Sequence, residues 1–169
     1  MRYVAFLRGG NSGGTGLFSM ADLQAACSEI CLSNVRTHSQ SGNILFESFR
    51  PEKELIEELE RVILPLAGKK IPIVIRTDRE LEKILVRNPF PGEDGAKIGV
   101  MLLPKEILQD QFGKIDCPTG ERAELAGREI YVFYPNGLER SKLIFPKLSQ
   151  AGTMRNIKTI RKIIELFTQ

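Results

Sequence analysis

The chain has 169 residues, of which 42% are hydrophobic, 27% charged and 7% aromatic. This composition predicts one or two small folded domains and excludes a wholly disordered chain. No apolar run reaches the roughly 18 residues that a membrane-spanning helix needs, and the N-terminal residues lack the features of an export signal. Three cysteines without such a signal predict reduced thiols in a cytoplasmic protein. The single histidine, His38, excludes sites that need two imidazoles.

Segments with the periodicity of strands and helices follow one another through the first half of the chain. Their order is strand, helix, strand, strand, helix, strand, over residues 3–7, 20–31, 35–40, 43–47, 51–63 and 71–76. Ser19, with Asp22 three residues later, predicts the start of the first helix, and Ser41-Gly42 predicts a hairpin turn. The β-α-β-β-α-β order predicts a ferredoxin-like subdomain. Thr77 is the predicted cap of a further helix.

The second half repeats this order in part. Strand, helix, strand, strand, helix and helix patterns cover residues 98–103, 105–112, 121–126, 129–134, 138–144 and, approximately, 154–167. A loop rich in proline and glycine at residues 89–95 predicts a domain boundary. We therefore expect an α+β protein in which residues 1–88 form a ferredoxin-like subdomain plus the following helix. Residues 89–169 would form a smaller α+β subdomain, which ends in a helix instead of a strand. The element order hints at a duplication, although no residue-level repeat aligns the two halves.

Basic residues concentrate near the C-terminus. From Leu138 to Gln169 there are seven basic residues and two acidic ones, in a chain of net charge +3. Such a segment can contact phosphates, including those of nucleic acid, but a solvated helix face has the same pattern. Ferredoxin-like sheets that bind RNA expose aromatic side chains on their central strands, and here only Phe46 is offered. Nucleic-acid binding is therefore kept as the alternative interpretation of the function.

Two polar clusters follow or connect the predicted strands. Residues 8–16 contain five glycines among nine residues, and loops of this kind present backbone N–H groups to phosphate or carboxylate. The spacing matches neither a P-loop nor the GxGxxG motif of dinucleotide-binding folds. The predicted hairpin tip, residues 40–43, supplies amide and hydroxyl groups. A flexible connection and a plain polar turn would have the same compositions.

A third polar cluster opens the predicted last helix. Thr153 is its predicted N-cap, with Arg155 and Asn156 in the first turn. A cation at that end opposes the helix dipole. An anion bound there would remove the conflict, because the free N–H groups, the Thr153 hydroxyl and the guanidinium would converge on it. A surface arginine without a partner is the alternative interpretation.

The order of these motifs along the chain resembles a known family. The matching pieces are Phe6-Leu7-Arg8-Gly9, Gly13-Gly14, Met20-Ala21-Leu23, Val35-Arg36-Thr37, Gln40-Ser41-Gly42-Asn43 and Gly152-Thr153-Arg155-Asn156-Thr159. Together they resemble domain-of-unknown-function family number 1697, whose members are small and mostly bacterial. The resemblance implies an α+β fold of two subdomains, the first of them ferredoxin-like, and it implies no established activity. The chain departs from the family pattern at Gly10, at His38-Ser39 and at Ile157.

These observations favour a binding protein for a phosphate-bearing small molecule or nucleotide. The predicted ligand-binding residues are Arg8, Asn11, Gln40, Ser41, Asn43, Thr153, Arg155 and Asn156. An enzyme of unassigned reaction class is a third interpretation, since the two arginines could stabilise developing negative charge, but no nucleophile or base is evident. We expect no metal site, because Cys27 and Cys31 lack further ligands nearby and fit better as buried small residues. No pattern identifies a cofactor, a catalytic residue or an oligomeric state.

Overall fold

The structure is a computed structural model that describes residues 1–9, 18–38, 42–113, 115–145, 147 and 151–169. Over these residues the protein is α+β, with two four-stranded antiparallel sheets and five α-helices. The chain divides into two units, Met1–Glu80 and Leu81–Gln169. The subdomain ranges 1–88 and 89–169 stay a prediction. Within the described part of the chain, every helix is too short or too polar to cross a lipid bilayer.

Among its described residues, the first unit contains one sheet and two complete helices. Its elements are β1 Arg2–Leu7, α1 Met20–Glu29, β2 Ser33–His38, β3 Asn43–Glu47, α2 Glu52–Ala67 and β4 Ile73–Thr77. The strand order is β2-β3-β1-β4, and each neighbouring pair is antiparallel. The six elements therefore occur in the predicted order. Helix α3, Asp78–Val86, follows β4 directly.

Strand β1 is buried on both faces. Tyr3, Ala5 and Leu7 belong to the core cluster that includes the apolar side chains of α1 and α2. Val4 and Phe6 alternate with them and have no exposed surface. A continuous apolar run, instead of alternation with polar residues, is typical of a strand covered on both sides. The run at residues 3–7 therefore predicted a buried strand correctly.

Side-chain caps begin two helices of this fold as predicted. The Ser19 hydroxyl accepts the Asp22 N–H at 3.0 Å at the start of α1. The Thr77 hydroxyl accepts the Glu80 N–H at 3.2 Å, while the Glu80 carboxylate accepts the Thr77 N–H at 2.8 Å. These reciprocal bonds satisfy N–H groups that have no partner inside the helix. Pro51, the predicted first residue of the second helix, is instead the N-cap of α2, which begins one position later at Glu52.

Strand β2 lies at one edge of the first sheet and is irregular. Its pairing with β3 shifts register between Ser33 and Arg36. Asn34, between them, has a φ of 52°, in the left-handed region that asparagine tolerates better than most residues. Ser33, Asn34 and Arg36 are exposed. The edge is therefore polar and locally interrupted.

The second unit contains the other sheet. Its main elements are β5 Ile98–Leu102, α4 Gln109–Phe112, β6 Arg122–Ala126, β7 Glu129–Phe133, β8 Thr153–Asn156 and α5 Ile157–Phe167. The strand order is β6-β7-β5-β8, again with antiparallel neighbours. One core cluster of this unit includes Ile130, Val132 and Tyr134 of the β7 region together with Phe112 of α4.

The predicted beginning of the last helix is wrong. Residues 153–156 form strand β8, which pairs with β5 from Leu102 opposite Thr153 to Gly99 opposite Asn156. Asn156 caps α5, since its side-chain oxygen accepts the Thr159 N–H at 2.8 Å. The unit therefore does contain a last strand before its terminal helix. Pairing with β5 satisfies the backbone groups that the prediction had assigned to a helical turn.

Two shorter helix predictions in this unit are also wrong in extent. The prediction over 138–144 reduces to a single 3-10 turn, Leu138–Arg140. Beyond it the Ser141 hydroxyl accepts the Leu143 N–H at 3.1 Å, which replaces the backbone bond that a helix would make. The prediction over 105–112 reduces to α4, Gln109–Phe112.

The two sheets share one feature of strand register and hydrogen bonding. Arg76 lies opposite Val4 on the first central strand, and Arg155 lies opposite Val100 on the second. Each guanidinium donates through Nη1 to the carbonyl of the residue before it, at 2.8 Å in both cases. The residue after each arginine caps the next helix. The two sheets therefore carry an arginine with the same local hydrogen bond at equivalent register positions.

Candidate functional site

Two of the predicted polar clusters, the glycine-rich segment and the hairpin tip, adjoin the same end of the first sheet. At this end β1 stops and β3 begins, because the two strands are antiparallel. The Leu7 N–H donates to the Gly42 carbonyl at 2.9 Å, and the Arg8 N–H donates to the Pro72 carbonyl at 3.0 Å. The glycine-rich segment and the hairpin tip therefore start from adjacent strand ends. Asn11, Gln40 and Ser41 lie outside the described residues.

Gly42 is required at this strand end for two reasons. Its φ is +73°, in the left-handed region where only glycine is unstrained. A Cβ at this position would also lie 3.1 Å from the Leu7 Cβ. The close approach allows the hydrogen bond between residues 7 and 42.

Arg8 and Asn43 have different environments at this end. Arg8 is exposed and directly follows β1. Asn43 has no exposed surface, and its amide donates to the His38 carbonyl at 3.1 Å. That bond ties the end of β2 to the start of β3, which is a structural role. The predicted contacts of Arg8 and Asn43 with a ligand stay a prediction.

Thr153 and Arg155 lie on one face of strand β8 in the second unit. The Arg155 guanidinium donates from Nη1 to the Thr153 hydroxyl at 2.9 Å and to the Met154 carbonyl at 2.8 Å. Burial lowers the pKa of Arg155 to about 10, because removal from water disfavours the charged form. The side chain is nevertheless cationic at neutral pH. A positioned guanidinium with a neighbouring hydroxyl is a suitable group for binding an oxyanion.

The third predicted cluster does not open a helix. Arg155 is in strand β8 and not in the first turn of α5, where the prediction had placed it. Asn156 uses its side-chain oxygen to cap α5. Arg8 and Asn43 belong to the first unit, whereas Thr153, Arg155 and Asn156 belong to the second. That the two sets bind one ligand stays a prediction.

Comparison with known proteins identifies the family. The model of the family described as Protein of unknown function (DUF1697) matches residues 1–131. The chain belongs to this family. The resemblance drawn from the sequence motifs is therefore confirmed, and the matched span of this DUF1697 protein includes Arg8 and Asn43 but ends before Thr153.

A solved structure has the same fold as this DUF1697 protein. It is described as the structure of the conserved bacterial protein SP0830 from Streptococcus pneumoniae, and its sequence is 21% identical. The TM-score is 0.79, over 99% of this chain and 98% of that chain. At this identity the likeness concerns the fold. No curated protein matches the sequence.

Sequence reasoning missed a buried carboxylate in the second unit. Glu121 is 6% exposed and accepts hydrogen bonds from the Thr119 N–H at 2.9 Å and from the Thr119 and Ser141 hydroxyls. These hydroxyl bonds favour the ionised form and lower the pKa of Glu121 to about 2. Thr119 is near in sequence, but Ser141 is brought in only by the fold. The cluster therefore ties two connecting segments together.

Acid should weaken this cluster in a defined window. The pKa of Glu121 is lowered from 4.5 to about 2 in the folded state, so its stabilising effect is complete above pH 4.5 and is lost as the pH falls toward about 2. We expect Glu121→Gln to lower the free energy of unfolding at neutral pH. As the pH falls through that window, the free energy of unfolding should decrease less for the variant than for the wild type. Urea denaturation as a function of pH measures this. Glu124→Gln, at an exposed position of β6, is the control, and identical pH slopes for the wild type and Glu121→Gln would contradict the expectation.

The three cysteines lie in different environments. Cys27 is buried as predicted, and burial raises its pKa to about 12. Cys31 is exposed, because it follows the end of α1 with a φ of 55°, so the expectation that it is buried is wrong. Burial, with Glu121 and Asp116 nearby, raises the pKa of Cys117. Among the described residues there is no group of three or more histidine, cysteine or acidic side chains that could hold a metal ion.

Proposed function

We propose that this protein binds a phosphate-bearing small molecule or nucleotide at the end of the first sheet where β1 stops and β3 begins. The supporting observation is the pair of main-chain bonds from Leu7 to Gly42 and from Arg8 to Pro72. The first bond holds the end of β1 beside the hairpin tip, and the second holds Arg8 beside the residue that precedes β4. The strand order β2-β3-β1-β4 supports a ferredoxin-like first unit as the scaffold. We further propose that the protein works in the bacterial cytoplasm.

Arg8 is the cationic group of the proposed site. Its guanidinium is exposed at the strand end and can donate two parallel bonds to phosphate oxygens. The glycines that follow permit the close backbone approach by which N–H groups bind anions. Asn11, Gln40 and Ser41 would add neutral donors, and Asn43 would hold the turn in shape through its bond to His38. Thr153, Arg155 and Asn156 of the second unit stay predicted ligand contacts, which are tested separately with Arg155→Ala.

Nucleic-acid binding is less well supported than it was from the sequence. Phe46, the expected stacking aromatic, is 1% exposed and stacks on Tyr3 at a ring distance of 5.6 Å. On α5, Lys158 lies 3.4 Å from the Asp94 carboxylate and Lys162 lies 3.0 Å from that of Glu165. These ion pairs partly neutralise two of the lysines that could contact nucleic-acid phosphates. Oligonucleotides nevertheless form one arm of the test.

A thermal-shift screen tests the proposal. The ligands are inorganic phosphate, sugar phosphates, nucleotides and short oligonucleotides. A ligand at about 100 times its dissociation constant stabilises the folded state by about 2.7 kcal/mol, which should raise the melting temperature by about 5–10 °C. Arg8→Ala should weaken binding about tenfold or more, because a charged hydrogen bond is lost. Arg155→Ala, run with the same ligands, measures the contribution of the second unit.

Arg61→Ala is the matched control for Arg8→Ala. Arg61 is exposed on α2 of the same unit and is absent from the proposed contact set. A phosphate compound that shifts the wild type and Arg61→Ala equally, but not Arg8→Ala, supports the site. A shift by oligonucleotides alone, steeply reduced by salt, would favour nucleic acid instead. If no phosphate compound shifts the wild type, the proposal is wrong.

A further inference from the structure

The opposite end of the first sheet carries a cavity that contains none of the residues of the proposed phosphate site. Its volume is about 430 Å³, and it is lined by Met1, Arg2, Glu47, Thr77, Asp78 and Arg79. The sheet register explains the grouping, since Arg2 pairs with Glu47 and the neighbouring Tyr3 pairs with Thr77. This end lies the length of β1, about 17 Å, from the strand end that carries Arg8. Small-molecule sites usually have volumes of about 300–1,000 Å³.

Two of the four charged side chains in this cavity neutralise each other. Arg2 forms an ion pair with Asp78 at 2.5 Å, and the Asp78 side chain is 14% exposed. Asp78 also accepts the Arg79 N–H at 2.9 Å. This pair forms a fixed, neutral part of the wall. Recognition of a charged ligand therefore depends on the other two side chains, Glu47 and Arg79.

Glu47 and Arg79 have opposite charges and are not paired with each other. In the described part of the chain, neither the Glu47 carboxylate nor the Arg79 guanidinium has an ion pair or a side-chain hydrogen bond. Arg50, in the segment after β3, is bound to the Glu58 carboxylate and the Ile30 carbonyl. The Met1 amino group donates to the Ser48 carbonyl at 2.9 Å. The nearby donors thus have partners other than Glu47.

The start of α3 does not supply an anion site in this cavity. The Glu80 N–H is bonded to the Thr77 hydroxyl, and the Arg79 N–H is bonded to the Asp78 side chain. Two N–H groups of the first turn of that helix are therefore occupied by the protein's own side chains. A carboxylate in the cavity would be bound by the Arg79 guanidinium.

A second, smaller cavity adjoins the first along two shared residues. Its volume is about 220 Å³, and it shares Met1 and Glu47 with the larger one. Phe49 also lines it, and this residue is 99% exposed. Phe49 and Met1 give this part an apolar surface next to the Glu47 carboxylate. Adjacent apolar and charged surfaces fit a ligand that carries a side chain beside an ammonium group.

We propose that this end of the sheet binds a zwitterion of the α-amino-acid type, either a free amino acid or a short peptide with both termini free. The ligand ammonium would bind Glu47, its carboxylate would bind Arg79, and its side chain would contact Phe49 and Met1. Such a ligand supplies a counter-charge to both side chains at once, which a phosphate or a simple cation does not. The proposal uses none of the residues of the proposed phosphate site and is independent of it.

Isothermal titration calorimetry with the standard L-amino acids and glycylglycine tests this site. The tightest ligand is then compared with its N-acetyl derivative, which lacks the ammonium, and with its carboxamide, which lacks the carboxylate. Each derivative should bind the wild type about tenfold more weakly, since one charged hydrogen-bonded contact is lost. The relative affinities of single amino acids and glycylglycine distinguish the two sources of the zwitterion.

Variants connect each ligand charge to its partner. Glu47→Gln should no longer distinguish the free ligand from its N-acetyl derivative, and Arg79→Gln should no longer distinguish it from the carboxamide. Glu57→Gln and Arg61→Gln, both exposed on α2, are the matched controls and should behave as the wild type. The proposal is overturned if no zwitterion binds at millimolar concentration, or if Glu47→Gln and Arg79→Gln retain the wild-type preferences. Arg8→Ala should bind the zwitterion normally, so failure of the phosphate site is distinguishable from failure here.

Discussion

Replacing Arg76 with alanine is expected to lower the free energy of unfolding by about 2–5 kcal/mol, the range for truncating a long buried side chain. Arg76 lies on β4 opposite Val4 and has no exposed surface. Its Nη1 donates to the Ile75 carbonyl at 2.8 Å. Alanine would leave a cavity and remove a charged donor from a buried acceptor, and both changes cost free energy. Urea denaturation followed by circular dichroism measures the difference.

Arg76→Met separates the loss of volume from the loss of hydrogen bonding. Methionine fills much of the space of arginine but donates no hydrogen bond, so its effect should be smaller than that of alanine. Arg61→Ala, on the exposed side of α2, should change stability by no more than about 0.5 kcal/mol. An Arg76→Ala effect as small as that of Arg61→Ala would contradict the burial of this side chain.

Gly152→Ala is expected to destabilise the second unit by about 1–3 kcal/mol, the usual cost of forcing extra atoms into a packed site. A Cβ on Gly152 would lie 2.6 Å from the Leu102 carbonyl oxygen and 3.0 Å from the Met101 sulfur. The sulfur belongs to a flexible side chain, but the oxygen is backbone of β5. It can move only if the pairing of β5 with β8, which begins at Leu102 opposite Thr153, is disturbed. Differential scanning calorimetry should detect a fall in melting temperature of about 2–12 °C.

Gly92→Ala is the matched glycine control. No atom lies within 4 Å of a Cβ at Gly92, and the residue does not have a left-handed φ. Alanine there should be neutral or should stabilise by about 0.4–1 kcal/mol, because it restricts the unfolded chain. Equal effects of Gly152→Ala and Gly92→Ala would show that the close approach at Gly152 does not matter for stability.

The elements with local signals were predictable from the sequence. Ser19 and Thr77 cap helices through residues three positions later, so four consecutive residues carry the information. Strand β8 could not be identified in this way, because Thr153 and Asn156 are both good caps and only pairing with β5 decides between them. The missed end of the 138–144 helix has a similar cause. Ser141 is held by Glu121, a residue distant in sequence.

The candidate site was predictable to the extent that strand topology determines it. A β-α-β-β-α-β order with β1 beside β3 brings Arg8 and Asn43 to one sheet end, and the register has Phe6 opposite Asn43. The structural bond from Asn43 to His38 was not predictable, because an amide near a turn has many equivalent partners. The cavity between Glu47 and Arg79 was also missed. Glu47 and Arg79 line this cavity because Arg2, at the start of β1, and Thr77, at the end of β4, lie at the same end of neighbouring strands.

The irregular β2 edge affects the tendency of the protein to aggregate at high concentration. A regular edge strand presents a row of unpaired backbone groups on which a strand of another molecule can add, and this is a common route to aggregation. The left-handed Asn34 and the register shift between Ser33 and Arg36 interrupt that row. Arg36 also adds a charge that an incoming strand would have to accommodate. The β2 edge is therefore a poor template for intermolecular sheet growth.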